Sequence, residues 1–302
     1  MFFKSMKLYR LQNLGLTAAQ LNDRLAAHRY VEANNLEACS VGWISPCEHA
    51  SNELVHAIDG QFLIMMRADR KLLPAKVVNK EAKKRAAEQQ EKQGYKPGRK
   101  QMKEIKERVI DELLPKAFTT SDDLRIWVDT TGGFLVIEST TASKADEVIG
   151  LLAKCLDPMP LEHVYVHMAP AAAMTSWLAE DEAPGGFSID QDTELRALDQ
   201  SKAAIRYVKH SIDAEDVRRH IGAGKQCTRL AVTWRDRISF VLTDGLDFKK
   251  VSPLDVLKNS ADTSSKNEQE QFDSDFTLMT GEASQLIGDM LNALGGERLS
   301  EQ

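Results

Sequence analysis

Leu124-Arg125-Ile126-Trp127-Val128, Asp129-Thr130-Thr131-Gly132-Gly133, Phe134-Leu135-Val136-Ile137 reads as strand, turn, strand. β-branched and aromatic residues fill both arms, and a polar segment with two glycines separates them, the pattern of a β-hairpin. Ala145, Val148, Ile149 and Leu152 then recur at helical spacing and predict a helix over 142–155. The same order, hairpin and then helix, is expected over 56–93 and over 229–258. The three stretches do not match residue for residue, so they form a recurring scheme and not a sequence repeat. The fold class expected is α+β, built from several antiparallel hairpin-plus-helix units.

Outward from this hairpin, residues 2–12 alternate between apolar and polar and predict a strand. Thr17 is placed to cap a helix reaching about His28, with Leu21 and Leu25 on its apolar face. Val41-Gly42-Trp43-Ile44 predicts a short strand, and Asp59-Gly60 the turn of a hairpin over 56–66. Val164-Tyr165-Val166 predicts another strand and Met174 to Glu180 a helix. Glu180, Asp181, Glu182, Asp190, Asp192 and Glu194 cluster around Pro184-Gly185-Gly186, the composition of an acidic surface loop at a boundary. A strand over 204–208, a helix from Asp213 to Ile221 and a polar linker over 259–271 follow. The last helix is expected over 281–294, with Thr280 as its cap and Glu282 in its first turn. These segments group as an N-terminal α+β unit (1–75), a basic helical hairpin (76–118), a central hairpin–helix unit (119–180) and a C-terminal α+β unit (181–302).

Charge singles out one stretch. Between Arg67 and Arg108 there are fifteen Lys and Arg against six Asp and Glu, a net of +9. The whole chain carries −6, so the remainder carries −15. Such segregation marks a local anion-binding surface, and nucleic acid is the largest cellular polyanion. Lys76 to about Gln93 is helical in composition with little apolar face beyond Val77, Val78, Ala82 and Ala86. Gly94-Tyr95-Lys96-Pro97-Gly98 breaks it. A second helix over 100–114 places Met102, Ile105, Val109 and Leu113 on one buried face and its Lys and Arg on the other. The pair is a projecting helical hairpin whose Lys80, Lys83, Lys84, Arg85, Arg99 and Lys100 are candidate phosphate contacts. It ends in Leu113-Leu114-Pro115-Lys116-Ala117-Phe118, where an aromatic follows a helix-ending proline. Phe118 either packs into its own domain or anchors a second subunit.

Other classes find less support. The chain has 302 residues, 42% of them apolar and 28% charged, and no apolar run long enough to span a membrane. Lys4, Lys7 and Arg10 interrupt what would be the apolar core of a leader, so a cytoplasmic protein is expected. Cys39, Cys47, Cys155 and Cys227 are widely spaced and predict reduced thiols. Ile221-Gly222-Ala223-Gly224-Lys225-Gln226 glances at a phosphate loop. It lacks the first glycine and the Ser or Thr that would hold magnesium, so it predicts a glycine-capped helix end. No cofactor motif, metal-ligand spacing or catalytic constellation stands out, and no enzyme is expected. No base-reading motif is present either, so the residues alone predict sequence-independent backbone contacts. Two alternatives stay open: a metal-dependent nuclease using scattered carboxylates, and an interaction protein whose hairpin docks on RNA or an acidic partner.

The chain resembles the bacterial recombination-associated RdgC family along essentially its whole length. Leu8-Tyr9-Arg10-Leu11, Gly42-Trp43, Gly60-Gln61, Leu73-Pro74, Leu113 to Phe118, Trp127-Val128-Asp129-Thr130 and Ala223-Gly224-Lys225 carry the resemblance. Most specific is Phe272-Asp273-Ser274-Asp275-Phe276-Thr277-Leu278-Met279-Thr280-Gly281-Glu282. The resemblance implies a noncatalytic homodimer closed into a ring around duplex DNA, nucleoid-associated and limiting RecA-driven strand exchange. It also implies that Phe118 helps close the dimer, and that Lys76, Lys116, Lys209 and Lys225 stand at basic positions facing DNA.

Overall fold

The computed structural model describes residues 2–34, 36–47, 52–199, 201–208, 214–260 and 267–298. In chain order the elements are β1 (Ser5–Leu11), α1 (Ala18–Ala26), β2 (Cys39–Ile44), β3 (Val55–Ile58), β4 (Gln61–Lys71), α2 (Ala75–Gln93) and α3 (Arg99–Leu113). A 3₁₀ turn (Leu114–Lys116) leads into β5 (Thr119–Asp129), β6 (Phe134–Ile137), α4 (Ala142–Cys155), β7 (Leu161–His163), α5 (Pro170–Glu180) and β8 (Phe187–Ala197). β9 (Ala204–Tyr207), α6 (Ala214–Gly222), β10 (Lys225–Trp234), β11 (Ile238–Thr243), β12 (Phe248–Pro253), α7 (Asp255–Ser260) and α8 (Glu268–Ala293) complete the chain. The fold is α+β with an extensive antiparallel sheet, as the hairpins predict.

Two compact units are formed, the first by Met1–Leu25, Ser45–Ile64 and Arg125–Gln302, the second by Ala26–Ile44 and Met65–Leu124. In the first unit the strands run β5-β6-β1-β12-β11-β10-β8-β9, with β7 beside β1. The founding hairpin pairs Trp127 with Val136 and Val128 with Leu135. Trp127 and Trp234 are fully buried, and each finds an acceptor for its indole N–H: Gln61 Oε1 at 2.6 Å and Asp289 Oδ2 at 2.8 Å. α5, α6 and α8 cover one face of β8, β10 and β11, where Leu195, Leu230, Val232, Phe240 and Leu242 join Met174, Val217, Phe276, Met279, Leu286 and Met290 in one core.

In the second unit β2 pairs with the latter part of β4, Trp43 standing opposite Met66. The Trp43 N–H donates to His28 O at 2.9 Å, and its carbonyl accepts from Tyr30 N–H at 2.8 Å. A Cβ at Gly42 would lie 2.4 Å from Tyr30 Cα, so only glycine lets the two backbones approach this closely. Tyr30 donates its hydroxyl hydrogen bond to Asp69, and Arg67 grips both carboxylate oxygens of Asp123 at 2.8 and 2.7 Å.

Four local expectations are corrected. The acidic 180–194 segment is not a loop throughout: Phe187 onward is β8, where pairing with β10 overrides composition and buries Glu194. The strand expected at Val164–Val166 lies three residues earlier as β7, and Val166 makes only an isolated bridge to Glu297. A third strand, β12, stands between the 229–242 hairpin and its helix. α8 begins twelve residues before Thr280: Asn267 caps it by accepting the Glu270 N–H at 2.8 Å, and Thr280 Oγ1 bonds back to Phe276 O inside the helix. The polar stretch misled because its exposed face is Asp, Ser and Thr while Phe276 and Met279 carry the packing. Among the described residues no helix is long and apolar enough to cross a membrane.

Candidate nucleic-acid interface

The basic hairpin is α2 and α3 of the second unit. Val78, Ala82 and Val109 form its small core, flanked by Leu73, Ile105 and Leu113. α2 stops at Gly94, whose N–H donates to Gln90 O at 2.8 Å. The Gly98 N–H at the start of α3 donates to Gln101 Oε1 at 3.0 Å. Because Val78, Ala82 and Ala86 point inward, the positions opposite them are fixed by the helical period. Those positions hold Lys76, Lys80, Lys83 and Lys84, all exposed. They stand at i, i+4, i+7 and i+8 and form one stripe about 12 Å long, enough to face three or four successive phosphates of one strand.

On α3, Arg99, Lys103 and Lys106 share a face, and Arg99, Lys100 and Lys103 are exposed. Lys103 makes only a loose i,i+4 pair with Glu107 at 3.7 Å. Arg85 is placed differently from the lysines. Its guanidinium is half-buried and donates to both oxygens of Glu112, with a weaker hydrogen bond to Glu81 at 3.4 Å. The hydrogen bond from Arg85 outweighs the cost of desolvation and holds the Glu112 carboxyl below its ordinary range. Arg85 thus joins the two helices, while the lysines keep their ammonium groups in solvent.

Lys116 is exposed at the end of the 3₁₀ turn, and its charge also favours the ionised Glu112. Phe118 follows at 83% exposure, the largest value among the exposed large apolar side chains. Its ring therefore does not pack into its own domain, although its backbone is held: Phe118 O accepts the Leu72 N–H at 2.7 Å. Leu72, 53% exposed, thus stands beside it, a neighbour that the sequence reading did not single out. The signal was there in Leu72-Leu73-Pro74, two adjacent leucines just past the end of β4, of which Leu73 packs on the hairpin core and Leu72 is left exposed.

Lys225 lies in the first unit as the opening residue of β10, opposite Ala197, after the turn in which Gly224 N–H closes α6 onto Ile221 O at 2.9 Å. The glycine-capped helix end is as expected. Lys209 lies outside the described residues. The remaining sequence landmarks are structural: Asp129 accepts hydrogen bonds from Gln61, Thr131, Gly132 and Ser284, and Glu282 pairs with Arg237. Among the described residues no three His, Cys, Asp or Glu side chains gather as a metal site would require.

Comparison with known proteins agrees with the landmarks. The RdgC family profile, described as “Putative exonuclease, RdgC”, matches residues 1–297. A relative named recombination-associated protein RdgC from Bordetella parapertussis is 60% identical over 299 residues, covering 99% of both chains. Those of Cupriavidus necator and Herminiimonas arsenicoxydans, with the same name, are 52% and 50% identical over equal coverage. The chain belongs to the RdgC family of recombination-associated proteins.

Proposed function

We propose that this chain binds double-stranded DNA without sequence preference, and that two copies close into a ring around the duplex. The observation that carries the reading is the exposed stripe of Lys76, Lys80, Lys83 and Lys84, opposite the packed side of α2. Point charges in solvent suit phosphates and carry no base information. Arg99 and Lys100, exposed on α3, and Lys116, exposed after it, are further proposed phosphate contacts, as are Lys209 and Lys225 at the basic positions the family resemblance implies. Arg85 shapes the hairpin through Glu112 and contributes its charge to the field. Phe118, exposed on a fixed backbone beside Leu72, is the apolar anchor at which the two copies meet. A ring on the chromosome limits recombination by denying the RecA filament its duplex partner, which places the protein at the nucleoid.

Encirclement is tested by binding the protein to closed circular and to linearised plasmid, then washing at raised salt. Retention on the circle with loss from the linear form supports the ring. Equal loss from both removes it. The family profile's description supports a second reading, an exonuclease. Incubating end-labelled duplex with the protein and magnesium separates the two, because DNA that stays intact rules out the nuclease.

A further inference from the structure

The face of the first unit's sheet turned away from α5, α6 and α8 carries a second basic cluster. Arg206 on β9, Glu194 on β8 and Arg229 on β10 stand opposite one another across the ladder. Alternation sends Leu195 and Leu230 into the core and turns these three to the outer face. The Glu194 side chain is 3% exposed, and three guanidiniums close on it. Arg196 Nη2 lies at 2.8 Å, Arg206 Nε makes a short hydrogen bond, and Arg229 Nη1 lies at 3.9 Å. The Thr228 hydroxyl donates at 3.1 Å. Burial pushes this carboxyl up, but the hydrogen bonds from Arg206 and Thr228 and the charges of Arg229 and Arg206 outweigh it and hold it ionised.

Several donors satisfy the hydrogen-bonding capacity of one buried carboxylate, but its single charge balances only one of the three guanidiniums, leaving a local surplus of two positive charges. The surplus faces solvent, since the side chains of Arg196, Arg206 and Arg229 are 41%, 60% and 46% exposed. Beside them a groove of about 380 Å³ runs on to Lys249 and Lys250 of β12, with Asp192 3.4 Å from Lys250 Nζ. From β9 to β12 the lining crosses four strand spacings, about 19 Å. That reach matches a run of phosphates better than a single small anion. Guanidiniums clamped by Glu194 also hold their remaining N–H groups in fixed directions, the arrangement that favours phosphate oxygens.

We propose that this face is a second phosphodiester-binding surface that contacts the backbone of duplex DNA through Arg206, Arg229, Lys249 and Lys250. It rests on the reading of the chain as a DNA-binding protein and adds to it a sheet face of the first unit, beyond the single lysine positions named above. The Lys249→Gln/Lys250→Gln double variant tests it without touching Glu194. Arg229→Gln is a second variant, which leaves the Arg196 and Arg206 bonds in place. Affinity for a random duplex is measured against salt, with thermal unfolding as a check on the fold. The proposal expects unchanged unfolding and a log–log salt slope shallower by about one to two units for the double variant. Wild-type slope and affinity here, with a clear loss on replacing Lys76, Lys80, Lys83 and Lys84, would overturn the proposal and leave the DNA reading standing. Wild-type behaviour in both sets would remove the DNA reading as well. Retained DNA affinity with lost binding to polyglutamate would assign the face to an acidic protein and overturn the proposal.

Discussion

Arg85 on α2 donates two hydrogen bonds of 2.7 Å to the two carboxylate oxygens of Glu112 on α3. The hairpin core is small, with Val78, Ala82 and Val109 as its buried members, and this partly exposed bidentate clamp adds a geometrically specific tie between the helices. Arg85→Gln is predicted to speed hydrogen exchange across α2 and α3 while leaving the first unit unchanged. Its DNA affinity falls by no more than one phosphate contact's share, a slope change of about 0.9 or less. A larger change than that seen for Lys83→Gln would make Arg85 a direct DNA contact and not a clamp.

Gly281 and Gly288 lie inside α8, and a Cβ at either would meet nothing within 4 Å. A glycine in a helix interior costs roughly 0.5–1 kcal/mol relative to alanine. Gly281→Ala is therefore predicted to stabilise the protein by about that amount in urea unfolding, through reduced freedom of the unfolded chain. A destabilised variant would mean that the helix is interrupted at Thr280–Gly281.

The His56 ring meets Phe272 and Phe276 edge-on, at centroid separations of 4.9 and 5.4 Å. Asp273 Oδ1 is 3.2 Å from His56 Nε2 but out of line for a hydrogen bond. Burial lowers the His56 pKa below its ordinary 6.5, and the Asp273 charge only partly opposes the shift. The unfolded chain therefore takes up this proton more readily than the folded one. Stability from this residue is full above the unfolded pKa, near 6.5, and declines as pH falls below it. Urea midpoints measured across that range should fall less steeply toward acid in His56→Leu than in the wild type. An identical or steeper fall would contradict the assignment.

Phe118→Ser is predicted to leave the unfolding midpoint of the monomer unchanged, because the side chain is already in solvent. Self-association and retention on circular plasmid should both weaken. Unaltered association, followed by sedimentation over a range of protein concentrations, would return Phe118 to a role within one chain.

Where a single segment carries its own packing instructions, the sequence was readable. The Trp127–Val136 hairpin, α4 with Ala145, Val148 and Leu152, and the two helices of the basic stretch stand close to where periodicity puts them. Structure set by distant partners was not readable. β8 is acidic and becomes a strand because β10 and β9 flank it. The start of α8 is polar and becomes helical because Asn267 caps it and Phe276 anchors it. The candidate interface divides the same way. The lysine stripe follows from counting residues along α2, whereas Glu194 drawing Arg196, Arg206 and Arg229 together depends on a cross-strand register that no local pattern contains.

Duplex binding as proposed turns on phosphates meeting the α2 lysine stripe. Its most direct test is the affinity of the chain for random duplex DNA as a function of salt, compared with Lys76→Gln/Lys80→Gln/Lys83→Gln/Lys84→Gln. If about six phosphates are neutralised, the wild-type log–log slope is about −5, at roughly 0.9 per contact. The quadruple variant should bind all sequences more weakly by the same factor, with a slope shallower by about three to four units if each lysine meets one phosphate. A salt-independent affinity, or a variant that binds as the wild type does, would contradict the account.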